Sequence, residues 1–183
     1  MDALEFAKDK MSKTEAALKR ELSVMRAGRA NPQVLERIFV DYYGTPTPIN
    51  QVGNISSPEA RQLVISPYDP SMIGAIDKAI QKSDLGIHPS NDGKYIRLIF
   101  PELTEERRRE LVKSVKRIGE EAKVAVRNIR RDALETSRRS QKAGEITEDD
   151  LKKTEDQVQK QTDAAIKEIE RILADKEKEI MQV

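Results

Sequence analysis

Basic residues recur along one side of the stretch from Thr104 to about Lys142, and phosphate groups are the partners that such a pattern suits. At about 100° per residue on a helix, five of these residues fall in one narrow band and three more flank it. The band comprises Arg109, Lys116, Lys123, Arg127 and Arg130, with Lys113, Arg131 and Arg138 beside it. Because the band lies nearly opposite the apolar positions of the same stretch, we expect it to face solvent.

Charge is sorted between the two C-terminal segments. Residues 105–142 contain 13 Lys and Arg against 7 Asp and Glu, a net charge of +6, whereas residues 147–183 contain 7 against 11, a net charge of −4. A solvated face is the ordinary explanation of a charge-rich helix, but it leaves this segregation unexplained. Since the whole chain carries only +1, any polyanion binding must come from local clustering.

RNA fits the basic band better than base-specific reading of DNA does. Arginine can bind phosphate and base edges through two N–H groups at once, which lysine cannot do. No aromatic residue interleaves with the arginines to stack on bases, so phosphate and groove contacts are the expected mode. Arg26 and Arg29 either serve as cations in the last turn of the first helix or extend this basic surface.

Residues suited to catalysis are scarce. The only histidine, His88, stands beside Pro89 in an expected loop, where a surface role is more plausible than a general base. The chain has no cysteine, no GxxxxGK[ST] loop and no cluster with metal-ligand spacing. Asp149 and Asp150 are paired acids, but they fall at a helix start, where acids are structurally favoured. We therefore expect a binding protein, with no catalytic residue, metal or cofactor.

Three long helices must position these residues. The stretch from Thr104 to Lys142 predicts a helix roughly 55 Å long, capped by Thr104. Its apolar positions, spaced by four and three, are Leu111, Val115, Ile118, Ala122, Ala125 and Ile129. Residues 2 to about 29 predict a first helix, ended by Gly28 and Pro32. Its apolar face carries Leu4, Ala7, Met11, Thr14, Leu18, Leu22 and Met25.

The third helix is expected to start at a Thr147 cap and to continue to Ile180. Its buried face is predicted at Val158, Thr162, Ala165, Ile169 and Ile172. Because no helix can bury so narrow an apolar face alone, the three should form a bundle.

A small α+β domain is expected between the first and second of these helices. All eight prolines lie in residues 32–101. Alternating apolar residues predict strands at Arg37–Tyr43, Gln62–Ser66 and Tyr95–Phe100, with a break at residues 44–48. Asp69 and Pro70 predict a helix start, followed by the apolar residues Met72, Ile73, Ile76 and Ile80, and residues 91–93 predict a turn.

The predicted domains are residues 1–30 plus 104–183, a helical bundle, and residues 31–103, an insertion. Two short connections join them, at residues 30–32 and 101–103, which suits hinge motion. No apolar run reaches membrane-spanning length, and the first residues enter a helix pattern without a signal segment. We therefore expect a cytoplasmic protein that does not bind membranes. We also expect it to be a monomer.

Five strings of sequence carry a family resemblance. They are MRAGRANP (25–32), VDYYGTPTPINQ (40–51), SDLGIHPSNDG (83–93), FPELTEERRRELVK (100–113) and AVRNIRRDALE (125–135). Together, and in this order, they closely resemble bacterial ribosome recycling factors over essentially the whole chain.

The resemblance implies a fold and a function. The fold is α+β, a three-helix bundle with an inserted β/α/β domain, in an L shape. The function is to bind the large ribosomal subunit after peptide release and, with elongation factor G and GTP hydrolysis, to split the ribosome. The family's arginine motif corresponds to Arg127, Arg130 and Arg131. Its hinge corresponds to the segments around Asn31–Pro32 and Pro101–Thr104, which with the connections above gives Ala30, Asn31, Pro32, Pro101, Glu102, Leu103 and Thr104.

Two other functions stay open on the residues alone. A coiled-coil scaffold or holdase for protein partners would explain the heptads, but not the segregated arginines or the two connections. An enzyme centred on His88 would lose activity on substitution of that residue.

Overall fold

The structure is a computed structural model, and it describes residues 2–25 and 28–182. The chain forms two compact units. One consists of the chain up to Leu22 together with the chain from Arg108 onward, and the other is Ser23–Arg107. The α+β class, with long helices and a small inserted unit that contains the β-strands, is confirmed. The predicted domain limits, residues 1–30 plus 104–183 and residues 31–103, stay a prediction.

Three helices build the first unit: α1 (Ala3–Ser23), α4 (Glu105–Lys142) and α5 (Glu148–Met181). With 38 residues, α4 is about 57 Å long, as its uninterrupted period predicts. All five predicted α5 positions are buried, and Ile180 is buried as well. Among the described residues, no helix combines the length and the apolar character needed to cross a membrane.

Helix α1 ends at Ser23, so the prediction that it continues to about residue 29 is wrong. Asn31 explains part of this early end, because its Nδ2 donates a hydrogen bond to the Ser23 carbonyl oxygen at 3.3 Å. A side chain from beyond the helix thus satisfies an acceptor that another helical turn would otherwise use.

The buried face of α4 shifts along the helix. Val126 is fully buried, whereas the predicted Ala125 and Ile129 are half-buried. The buried face continues through Ala133 and Leu134. An undistorted helix drifts by about 20° per heptad relative to a strict four-three pattern, so the pattern moves by roughly 50° around the helix between Leu111 and Ile129.

Capping side chains fix the starts of α4 and α5, as predicted. Thr104 Oγ1 accepts a hydrogen bond from the backbone N–H of Arg107 at 3.1 Å. Thr147 Oγ1 accepts one from the backbone N–H of Asp150 at 3.1 Å, and Asp150 Oδ2 accepts the backbone N–H of Thr147 at 3.3 Å. This reciprocal capping box satisfies two otherwise unpaired donors.

The second unit contains two antiparallel sheets. Strands β1 (Phe39–Tyr42) and β2 (Thr45–Pro48) form a hairpin. Strands β3 (Gly53–Glu59), β4 (Gln62–Pro67), β5 (Ser90–Asn91) and β6 (Ile96–Ile99) form a sheet in the order β3-β4-β6-β5. Helix α2 (Ile49–Val52) precedes β3, and α3 (Ile73–Lys82) lies between β4 and β5. One core is formed by buried residues that include Leu63, Ile65, Ile76, Ile80, Ile96, Leu98 and Phe100.

The break predicted at residues 44–48 is wrong, because β2 occupies most of it. Tyr43 and Gly44 both adopt positive φ, 50° and 85°, as the two central residues of a tight hairpin turn require. Pro46 and Pro48 are accommodated because β2 has a strand partner on one side only, and the missing N–H groups cost no ladder bond there. Strand β3 was also missed, since its Asn, Ser and Pro residues are poor strand formers.

Candidate RNA-binding face of α4

Helix α4 carries six of the eight predicted RNA-binding residues. From Arg109 to Arg131 they extend over about 33 Å of one straight element. Arg109, Lys116, Arg127 and Arg131 are exposed. Arg109, Lys116 and Arg127 meet the expectation that the band faces solvent, and Arg131 beside the band is exposed as well. The remaining two, Lys123 and Arg130, contact α5.

Lys123 does not face solvent, so that part of the expectation is wrong. Its side chain retains only 15% of its full exposure. The Nζ atom lies 3.3 Å from Glu170 Oε1 on α5 and 3.6 Å from Glu120 Oε1 on its own helix. The shift of the buried face of α4 explains this position, because it turns Lys123 toward the neighbouring helix.

Arg130 is half-buried and held by a neutral partner. Its Nε donates to Gln159 Oε1 at 2.8 Å, and Gln159 Nε2 in turn donates to Asp163 Oδ1 at 2.9 Å. The second bond fixes which end of the Gln159 amide faces the arginine. Arg130 is therefore oriented by α5 without being neutralised by direct contact.

Arg138, which flanks the band, has an acidic partner. Its Nε donates to Glu155 Oε1 of α5 at 3.0 Å. Glu155, Gln159 and Glu170 are the residues that sequence reasoning missed. The short break at residues 143–146 could have indicated them. So short a connection makes α4 and α5 antiparallel, and this sets which residues of the two helices face each other.

The two N-terminal arginines of the predicted set are not part of α4. Arg29 is exposed and belongs to the Ser23–Arg107 unit. Arg26 lies outside the described residues.

The first predicted hinge segment makes hydrogen bonds within the second unit. The backbone N–H of Ala30 donates to the Ala60 carbonyl oxygen at 2.7 Å. Asn31 Oδ1 accepts from the backbone N–H of Gln33 at 3.0 Å, and Pro32 opens the short 3₁₀ turn that follows.

The second predicted hinge segment combines exposed residues with one closely packed leucine. Pro101 is exposed, and the Glu102 carboxylate lies 3.8 Å from Arg61. Leu103 packs beside Gly28, whose φ is +81°; a Cβ there would lie 3.2 Å from Leu103 Cγ. Thr104 caps α4. Residues of this segment line a pocket of about 270 Å³.

A separate ion network joins α1 to α5. Arg171 donates to Glu168 through Nη2 at 2.6 Å and through Nε at 2.9 Å, and Lys19 Nζ lies 3.5 Å from the same carboxylate. The hydrogen bonds from Arg171 lower the pKa of Glu168 to about 2. Burial, with the negative charge of Glu168 as a second cause, raises the pKa of nearby Glu15.

Other chemistry is sparse. His88 is exposed in a loop. Within residues 2–25 and 28–182, no three His, Cys, Asp or Glu side chains are grouped so that they could hold a metal ion.

Comparisons with known proteins agree on one family. The family model for ribosome recycling factor matches residues 18–181. A ribosome-recycling factor of Caldicellulosiruptor bescii is 58% identical over 182 residues, which is 100% of this chain and 99% of the relative. A solution structure of the ribosome recycling factor is similar with a TM-score of 0.83 and 42% identity, over 99% of this chain and 96% of that one.

A second similar structure is a model of a T. thermophilus ribosome recycling factor and E. coli elongation factor G bound to the E. coli post-termination complex. It has a TM-score of 0.68 and 39% identity, and the match covers 100% of both chains. The family model spans most of the chain, and the relative matches it from end to end. The chain therefore belongs to the ribosome recycling factor family.

Proposed function

We propose that this protein binds the large ribosomal subunit after peptide release and, together with elongation factor G, splits the post-termination complex into subunits. The observation that carries the proposal is the face of α4 formed by Arg127, Arg130 and Arg131. Two of these arginines are exposed, and the third is oriented by a neutral amide. The similar structure on a post-termination complex supports the choice of the ribosome as the polyanion.

The arginine face, formed by Arg127, Arg130 and Arg131, binds ribosomal RNA in this proposal. Each phosphate contact releases condensed counterions, so binding should weaken steeply as salt rises. Guanidinium groups bind phosphate through paired, charge-assisted hydrogen bonds. Exposed side chains on a rigid helix need little rearrangement to make such contacts, which favours binding.

Elongation factor G supplies the energy in this proposal. The chain has no GxxxxGK[ST] motif, so GTP hydrolysis is assigned to the partner. Elongation factor G contacts and displaces the α+β unit. Rotation about residues 30–32 and 101–104 then transmits this movement to the helices. The protein acts in the cytoplasm as a monomer and a mechanical adaptor, not as an enzyme.

The test is light scattering of post-termination ribosomes mixed with this protein, cognate elongation factor G and GTP. Wild type is compared with Arg130→Glu. The matched control is Arg139→Glu, an exposed α4 arginine outside the band that pairs with Glu135 at 3.3 Å. We expect a fall in scattering with wild type and with the control, and little or none with Arg130→Glu. Circular dichroism checks that all three proteins keep their helices.

Each other result has a definite meaning. A fall with all three proteins would keep the recycling function and remove the arginine face from it. No fall with any of them would contradict the proposal and favour a scaffold for protein partners, which should associate with little dependence on salt.

A further inference from the structure

Two ion pairs link α4 to α5 at matching intervals. Lys123 pairs with Glu170 at 3.3 Å, and Arg138 pairs with Glu155 at 3.0 Å. The fifteen residues that separate the two cations on α4 equal the fifteen that separate the two acids on α5. The two helices are therefore antiparallel and keep a constant register between these two ion pairs. The pairs occupy positions like those of the charged residues that flank the apolar contact in a coiled coil.

Arg130 lies between Lys123 and Arg138 on α4, but its partner on α5 is not an acid. Arg130 lies seven residues beyond Lys123, and the same register places Asp163, seven residues before Glu170, opposite it. Yet Gln159, one turn away from Asp163, accepts the Arg130 Nε hydrogen bond at 2.8 Å. Asp163 instead accepts the Gln159 amide at 2.9 Å. A neutral side chain therefore stands between this cation and the carboxylate that the register assigns to it.

This substitution of partner has two chemical consequences. An arginine held through Nε keeps its terminal Nη1 and Nη2 groups as a pair, the edge that can bind a phosphate with two parallel hydrogen bonds. The positive charge of an arginine held by a neutral amide is also not offset by a contacting carboxylate, whereas the charges of Lys123 and Arg138 are. A cation already paired in the free protein gains less from meeting a phosphate, because it must give up its acidic partner.

We propose that Gln159 is a positioning residue that holds Arg130 for a phosphate of RNA, while Glu170 and Glu155 withdraw Lys123 and Arg138 from RNA binding. The binding face is then narrower than the sequence pattern of basic residues and is centred on Arg127, Arg130 and Arg131. This inference rests on the proposed grip of α4 on ribosomal RNA and identifies the α5 residues that tune it.

The first test changes the charge at position 159. Binding to purified large ribosomal subunits is measured between roughly 50 and 200 mM salt, where phosphate contacts dominate the salt dependence. In Gln159→Glu, a carboxylate replaces the amide beside Arg130. We expect affinity at low salt to fall roughly tenfold and the slope of log K against log salt to shrink by about one.

Gln157→Glu is the matched control, with the same chemical change on the same helix. Gln157 is exposed and lies about 200° around α5 from Gln159. A general repulsion between α5 and RNA would weaken both variants alike. We expect the control to keep the wild-type slope and affinity, and an equal loss in both variants would overturn the positioning role.

The second test releases the withdrawn cations. Glu155→Gln and Glu170→Gln each remove an acidic partner while keeping the shape of the side chain. We expect each variant to bind large subunits several-fold more tightly than wild type, with a slope steeper by up to about one. Unchanged slopes in both would overturn the withdrawal of Lys123 and Arg138.

Arg130→Glu separates failure of this inference from failure of the proposed function. If Arg130→Glu binds as tightly as wild type at every salt concentration, the arginine grip itself is wrong. If Arg130→Glu loses affinity but Gln159→Glu does not, the grip stands and only the positioning role of Gln159 is overturned.

Discussion

Glu168 shows how a single residue can link two helices and make the fold sensitive to pH. Its carboxylate accepts two hydrogen bonds from Arg171 on its own helix and lies within ion-pair distance of Lys19 on α1. These contacts favour the ionised form, which is why the pKa of Glu168 is lowered from 4.5 to about 2. A pKa that is lower in the folded state means that protonation opposes folding.

The expected pH dependence follows from that sign. Glu168 contributes stability that is fully present above about pH 4.5 and is lost as the pH falls toward 2. We therefore expect Glu168→Gln to lower the Tm at pH 6 and to lower it much less near pH 2. Thermal unfolding followed by circular dichroism across this range measures the difference.

Asp156→Asn is the control for this experiment, since it removes an exposed carboxylate from the same helix. Its Tm difference from wild type should vary less with pH than that of Glu168→Gln. Parallel curves for wild type and Glu168→Gln from pH 6 to pH 2 would contradict the role assigned to Glu168.

The limits of sequence reasoning at this scale are visible in the basic band. Residue types and helical spacing sufficed to group Arg109, Lys116 and Arg127 on one exposed face. They did not show that Lys123 is covered or that Arg130 is held by an amide. Both facts depend on residues of α5 some thirty to fifty positions away, and the pattern of one helix carries no information about its neighbour.

Gly119 leaves room for the side chain of Leu173 from α5 to lie against α4. It is buried inside α4, and a Cβ built there would collide with Leu173 of α5, lying 2.7 Å from its Cδ2. Glycine inside a helix usually costs stability relative to alanine, by up to about 1 kcal/mol. The close approach of the Leu173 side chain is the reason that glycine fits here.

We expect Gly119→Ala to destabilise the protein by about 1 kcal/mol, because an overpacking cost of about 1–3 kcal/mol exceeds the gain in helix propensity. Urea unfolding followed by circular dichroism measures the change. In a Leu173→Ala background the collision is gone, so the same substitution should stabilise instead. A double-mutant cycle without this change of sign would contradict the explanation.

Gly74→Ala is the matched control in an open position. Gly74 lies in α3, and nothing stands within 4 Å of a Cβ built there. This variant should stabilise the second unit by a few tenths to 1 kcal/mol, through a smaller entropy loss on folding.

Whole elements were predictable where one periodicity dominates. The long helices have apolar residues at helical spacing over many turns, so their existence followed directly from the sequence. The β2 strand did not, because Thr-Pro-Thr-Pro is typical of a break and only its pairing with β1 makes it extended. The early end of α1 was missed for a similar reason, since it involves Asn31, eight residues beyond Ser23.

At the scale of the molecule, the second unit has a core of its own. Leu35, Ile65, Ile80 and Phe100 belong to a single cluster of thirteen buried hydrophobic residues, all within Ser23–Arg107. Four of its six strands join into one sheet that needs no strand from elsewhere in the described chain. Independent folding requires a sheet of at least about three strands with a packed apolar face and a hydrophobic core within the same segment.

We therefore expect an excised polypeptide of residues 23–107 to fold and to unfold cooperatively in urea. Dispersed amide signals in a nuclear magnetic resonance spectrum would show the fold. In the fragment, Leu63→Ala should cost about 2–5 kcal/mol, since Leu63 is fully buried. A fragment without a cooperative transition would show that this unit depends on the helices.

The first unit, in contrast, is discontinuous in sequence, and this has a consequence for its synthesis. The Leu4 carbonyl oxygen accepts a hydrogen bond from Gln161, 157 positions later. At about 5–20 residues per second, α1 waits roughly 8–30 s after leaving the site of peptide bond formation before that partner is made. During this time α1 lacks its contacts with α5, such as the ion pair between Lys19 and Glu168, while Ser23–Arg107 is synthesised in full. The nascent chain therefore carries α1 without its α5 partner while all of Ser23–Arg107 is synthesised, so the discontinuous helical unit is completed after the second unit.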